Sequence, residues 1–122
     1  MSPRAGRADA AALARAKARL DRLDLYPRPV SLRRVRIAVA PWLFRLPWLR
    51  RFSGYTMWNL IVLRRPLEQV SDDLVCHELC HVWQMQHHPL RMPVSYLVEG
   101  YARNRHEIEA RRAVELTRLS RS

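Results

Sequence analysis

The sequence predicts an α+β domain, on three observations. Apolar residues recur at helical spacing near the start of the chain and again over its last third. Between them, alternating and short continuous apolar runs read as strands. From Ser71 to His87 a capped, amphipathic stretch reads as a helix that carries His77-Glu78-Leu79-Cys80-His81. The expected order is a leading helix, a small and mostly antiparallel sheet, the histidine-bearing helix and a long C-terminal backing helix. A chain of 122 residues builds one core, so residues 1–122 are expected to form a single compact domain.

The leading helix is expected over about residues 8–24, where Leu13, Ala16, Leu20 and Leu23 recur among strong helix formers and the opposite face is cationic. Tyr26-Pro27-Arg28-Pro29 ends it as a short linker. Val35, Ile37 and Val39 alternate with Arg36, Ala38 and Ala40, the pattern of a half-buried strand, and Pro41 closes it. The stretch from Trp42 to Phe52 is too apolar for a bare loop and is expected to pack as core or line a groove. The alternative there is an interfacial membrane patch in which Arg45, Arg50 and Arg51 meet lipid phosphates. Ser53-Gly54 signals a turn, and Met57 to Leu63 reads as one strand buried on both faces. Ser71 is the expected N-cap of the next helix, with Asp72 and Asp73 in the first turn, where the helix dipole favours them; Pro89 stops the run. The final helix is expected from Val94 to about Leu119.

The formal charge is +11, and it is unevenly placed: residues 1–66 carry +12 and residues 67–122 carry −1. Such a basic half can hold nucleic acid or an anionic membrane surface, although no recognised nucleic-acid-binding motif accompanies it. No apolar run is long enough to span a bilayer, and the alternating Ala and Arg of Met1 to Arg22 lack the apolar core of a secretory signal. The two cysteines, Cys76 and Cys80, imply no disulfide framework; one helical turn apart, they read as buried thiols in a reducing cytoplasm.

The chemistry concentrates in the fourth element. Residues i and i+4 of a helix share a face, so His77 and His81 can offer two imidazole nitrogens to one metal ion. Glu78, next to the first of them, can reach a water on that metal as general base without ligating it. A third ligand is needed. His87 stands where a metzincin-type signature has its third histidine, but that signature needs a glycine to turn the chain, and here the position is Gln84. If the helix continues, His87 rotates about 240° away from His81. Glu107 is the better choice, because Gly100 and Ala110 beside it let two helix backbones approach closely. Glu99 ranks second. Glu109, between Arg105 and Arg112, reads as a solvated ion-paired acid.

His77-Glu78-Leu79-Cys80-His81-Val82-Trp83-Gln84, followed by Asn104-Arg105-His106-Glu107-Ile108-Glu109-Ala110-Arg111, resembles the gluzincin class of metallopeptidases. The resemblance is closest to very small bacterial gluzincin-like domains with H-E-L-x-H-x-x-Q and a later E-x-E-A, and it covers roughly residues 56–114. It implies a minimal zincin-like domain with its metal-binding core over about residues 56–119, and one zinc ion held by His77, His81 and Glu107. The activity it implies is zinc-dependent hydrolysis of a peptide or protein substrate. Glu78 would take a proton from the activated water and pass it to the leaving amine. Tyr96, Tyr101, Arg103 and His106 are candidates for an oxyanion donor, and Gln84 for a hydrogen bond that orients a ligand histidine. The alternative is a non-catalytic, zinc-stabilised basic module that binds nucleic acid or an anionic membrane surface. Glu78 weighs against it, because that role needs no carboxylate beside the first ligand.

Overall fold

The helical spacing of Leu13, Ala16 and Leu20 produces helix α1 (Pro3–Leu20), which buries all three side chains and packs mainly on helix α2 (Asp72–His87). The computed structural model describes residues 3–47, 49–90, 92 and 104–119. Between the two helices come strands β1 (Arg36–Val39), β2 (Gly54–Met57) and β3 (Leu60–Leu63), and helix α3 (Arg105–Leu119) follows them. This is the expected α+β arrangement, with one core shared by the three described helices and the sheet.

The cationic face of α1 is only partly solvated. Arg19 is buried where the three helices meet. Its guanidinium donates to Asp73 Oδ1 (2.8 Å), Thr117 Oγ1 (3.1 Å) and the Val114 carbonyl (3.0 Å). A guanidinium removed from water needs such a set of acceptors, because an unpaired buried charge is strongly destabilising.

The sheet is mixed and runs in the order β1-β3-β2, where a mostly antiparallel one was expected. β1 is parallel to β3, with Ile37 opposite Ile61, because the chain passes through the 3₁₀ turn at Pro41–Arg45 and through β2 before it reaches β3. β2 and β3 are antiparallel, with Met57 opposite Leu60. The single strand expected from Met57 to Leu63 is therefore a tight hairpin turning at Trp58-Asn59. Trp58 takes a positive φ of 52°, which a two-residue hairpin requires at its first turn position and which a tryptophan seldom adopts. Its backbone N–H reaches Met85 Sδ (3.1 Å) and its indole N–H donates to the Pro89 carbonyl (3.2 Å), so tertiary contacts hold the turn.

β3 is buried on both faces, as its composition suggests. Ile61 and Leu63 point into the helix-side core, and Val62 points into a second, smaller cluster with Phe44 and Leu49. The stretch after β1 thus packs as core on the far face of the sheet. Among the described apolar residues of that stretch, Trp42 is the exception, at 67% exposure.

α3 begins later than expected. Asn104 stands outside it as its N-cap: the side-chain oxygen accepts from the His106 N–H (2.7 Å) and the carbonyl from the Ile108 N–H (3.0 Å). A helix running unbroken through position 104 is therefore not what forms. The expected stretch over 94–103 lies outside the described residues. Among those described, no helix is long and apolar enough to cross a membrane.

Candidate metal centre

Ser71 starts α2 as expected: its Oγ accepts from the Leu74 N–H (3.1 Å), with Asp72 and Asp73 in the first turn. The helix runs on through His87, so His77 and His81 share one face. Their rings lie 4.8 Å apart and nearly perpendicular. α3 packs against that face, and Ala110 and Ala113, both buried, keep the contact close. Glu107 enters it from α3. Its Oε1 is 2.7 Å from His77 Nε2 and its Oε2 is 2.9 Å from His81 Nε2. One donor atom from each of the three residues lies within 4.8 Å of the other two, so the group can hold a metal ion.

Burial opposes ionisation of Glu107, but the hydrogen bonds from His77 and His81 outweigh it and hold the carboxyl far below the usual carboxylate range. Burial likewise disfavours a charged His81, while the bond to Glu107 and the nearby charge of Glu78 raise its pKa overall. A carboxylate this deep requires positive charge beside it, whether as protons on the imidazoles or as a cation among them. Two imidazole nitrogens and a carboxylate oxygen are also the donor set of a hydrolytic zinc site, with three protein ligands and one position left for solvent. The residues present fit such an ion.

A chain of hydrogen bonds sets the orientation of His81. Gln84 is fully buried, and its Nε2 donates to the His106 carbonyl (2.7 Å) and to Glu109 Oε1 (3.1 Å). With both amide hydrogens so committed, its Oε1 is the acceptor for His81 Nδ1–H (2.8 Å). That fixes a proton on Nδ1 and aims Nε2 at Glu107, where it can donate to the carboxylate or, without its proton, take a metal ion. Glu109 Oε1 also accepts from Tyr26 Oη at 2.5 Å. Burial, and then this bond, push the Tyr26 phenol well above its ordinary pKa, so it remains a donor.

Glu78 faces the sheet. It is 4% exposed, and its Oε2 accepts from the Thr56 hydroxyl (2.6 Å). Gly54, the other inward position of β2, leaves it room: a Cβ there would stand 3.3 Å from Glu78 Cγ and 3.4 Å from its Oε1. A cleft of about 660 Å³ opens onto His77 and Glu107, with Gly54 in its wall.

The remaining predicted positions divide. His87, the alternative ligand, is turned away: its Nδ1 meets the Trp83 carbonyl (3.1 Å) and its ring stacks on Tyr26 at 4.9 Å, because α2 never breaks at Gln84. Glu109 is not the solvated ion-paired acid expected, since the fold places it between Tyr26 and Gln84. Glu99, Tyr96, Tyr101 and Arg103 lie outside the described residues. His106 is buried at the start of α3, and its carbonyl supports Gln84. Cys76 and Cys80 are free and buried, and burial raises the pKa of both thiols. Thr56, Gly54 and Tyr26 have no signal in the motif. Only the period-two alternation of β2 could have marked the first two as inward-facing, once the turn at Trp58 was recognised. Comparison with known proteins returns no matching family model, no matching curated sequence and no matching solved structure.

Proposed function

We propose that this chain is a zinc-dependent metallopeptidase in which His77, His81 and Glu107 hold one zinc ion and Glu78 is the general base. The observation that carries this reading is the placement of Glu78. It is buried beside the His77–His81–Glu107 group, bonded by Thr56 and given space by Gly54, next to an open cleft. A purely structural zinc has no use for a carboxylate held in that way, which is why the non-catalytic basic module is the weaker reading.

Bound there, zinc supplies Lewis acidity and brings the pKa of its water towards about 7. Glu78 accepts the proton of the attacking water and returns it to the leaving amine. The Thr56 hydroxyl fixes one Glu78 oxygen, so the other carries the proton traffic. Gln84 holds the His81 ring in the ligating tautomer. β2 is an edge strand of the sheet, so an extended peptide can align beside it by main-chain pairing. The oxyanion donor is sought among Tyr96, Tyr101, Arg103 and His106. Buried free thiols accord with a reducing, cytoplasmic setting.

The test is metal analysis together with peptide hydrolysis. His77→Ala and Glu107→Ala are expected to lose zinc and activity together, and Glu78→Gln to keep zinc while hydrolysis falls by at least about a hundredfold. Zinc retained without Glu107 but lost in His87→Ala would overturn the ligand assignment. Undiminished hydrolysis by Glu78→Gln would overturn the mechanism.

A further inference from the structure

The cleft that exposes His77 and Glu107 does not end there. It meets a second depression of about 320 Å³, and the two share Ser53 and Leu74 in their walls. The two adjoin there as a groove whose first part exposes the metal centre, and its charge is lopsided. Arg51 from the segment before β2, and Arg111 and Arg118 from α3, line the first part. Arg64 and Arg65, just after β3, line the second, which contains no acid. The acids of the groove, apart from Glu107, are Asp73 and Glu115. Asp73 is already engaged by Arg19 and Arg118.

The arginines are also positioned. Arg64 Nη1 donates to the Arg50 carbonyl (2.7 Å), which fixes its guanidinium in the wall of the second depression. Arg51 lies over the Phe52 ring, 5.4 Å from its centroid. Neither Arg51 nor Arg65 forms an ion pair with any described residue, and both are exposed. Their charge is therefore available to a ligand lying in the groove.

We propose that the groove selects acidic peptides, with Asp or Glu side chains seated against Arg51 and Arg65 while the chain crosses the metal centre. This inference rests on the metallopeptidase reading for what happens at the centre itself. A peptide is favoured over nucleic acid for two reasons. The groove exposes His77 and Glu107 of the proposed hydrolytic centre, and Glu115 interrupts the arginines. A uniform polyphosphate would meet that carboxylate directly, whereas a peptide carries its charges at chosen positions.

The experiment uses the full chain as Glu78→Gln, loaded with zinc, and a short fluorescein-labelled peptide of alternating Asp and Ser. Anisotropy compares it with counterparts bearing Asn or Lys in place of Asp. The Asp peptide is expected to bind about tenfold more tightly than the Asn peptide and to weaken with added salt. Adding Arg51→Ala and Arg65→Ala is expected to bring the two peptides within about twofold of each other, at unchanged zinc content and melting temperature. Equal binding of Asp and Asn peptides, or a preference that survives the double substitution, overturns the inference. So does displacement of the Asp peptide by a single-stranded oligonucleotide of equal charge at about tenfold higher affinity, which assigns the groove to nucleic acid. The same titration in zinc-free protein keeps the two questions apart: failure to hold zinc sinks the metallopeptidase reading, while the Asp–Asn difference judges the groove alone.

Discussion

Two buried polar clusters join the same helices and have opposite characters. Around Arg19, a guanidinium from α1 is enclosed by Asp73 of α2 and by Thr117 and the Val114 carbonyl of α3. Donors and acceptors meet one another there, and Asp73 also takes Arg118 from the surface of α3. Farther along α2 and nearer the start of α3, the chain from Tyr26 through Glu109 and Gln84 to His81 is equally buried in its middle. It ends differently, in two imidazole nitrogens and a carboxylate that converge beside an open cleft. The first cluster turns polar groups inward to hold the helices together. The second uses the same kind of bonding to hold three donor atoms where they could take a metal ion. Burial and hydrogen bonding alone do not separate a structural site from a functional one; where the last donor atoms point does.

The comparison is broken most severely by removing Arg19. Arg19→Met should cost about 3 kcal/mol in urea unfolding, since it removes the three charge-assisted bonds of a buried guanidinium at once and leaves Asp73 to Arg118 and the Val114 carbonyl to Thr117, yet zinc stoichiometry should not change. Burial works against ionisation of Asp73, but Arg19 and Arg118 outweigh it and lower its pKa below the ordinary 3.8. That contribution is present above about pH 4 and fades as pH falls through the lowered folded value, so Arg19→Met should also blunt the acid dependence of unfolding. Zinc loss at preserved acid dependence would show that the two clusters are not separate.

Glu109→Ala makes the converse cut. It removes the acceptor shared by Tyr26 and Gln84 and frees the amide to turn, which should weaken zinc binding about 10- to 100-fold in a chelator competition. Glu109→Gln keeps an acceptor and should restore most of the affinity. If both variants bind zinc like the parent, the chain to Tyr26 is only packing. The smallest expected effect is at Gly54. A methyl there pushes Glu78 by a few tenths of an ångström without touching a ligand, so Gly54→Ala should hold zinc normally while peptide turnover falls by about tenfold. Unchanged turnover would detach β2 from the proposed chemistry.

Local patterns made much of this legible. Ser71 and the two aspartates after it announced α2, and the spacing of Leu13, Ala16 and Leu20 announced α1, because caps and helical periodicity act over a few residues. The meeting of Glu107 with His77 and His81 was readable for a related reason: small residues near an acid on the next helix allow close approach. The hairpin was hidden because its turn carries Trp58, with no glycine in it, and only the contacts to Met85 and Pro89 make a positive φ tolerable there. Glu109 was misjudged because flanking arginines suggest solvent, whereas the fold brings Tyr26 and Gln84 to it from distant parts of the chain.

The sequence by itself determined the α+β order of elements, the one-turn spacing of the two imidazoles and the glutamate beside them, since these follow from periodicities of a few residues. Only the tertiary structure decided that β1 lies parallel to β3, that Arg19 is enclosed, and that Gly54 and Thr56 seat Glu78. Each of those depends on pairing segments far apart in the chain. No local propensity encodes that choice, because it is made by which surfaces can be buried together with their polar groups satisfied.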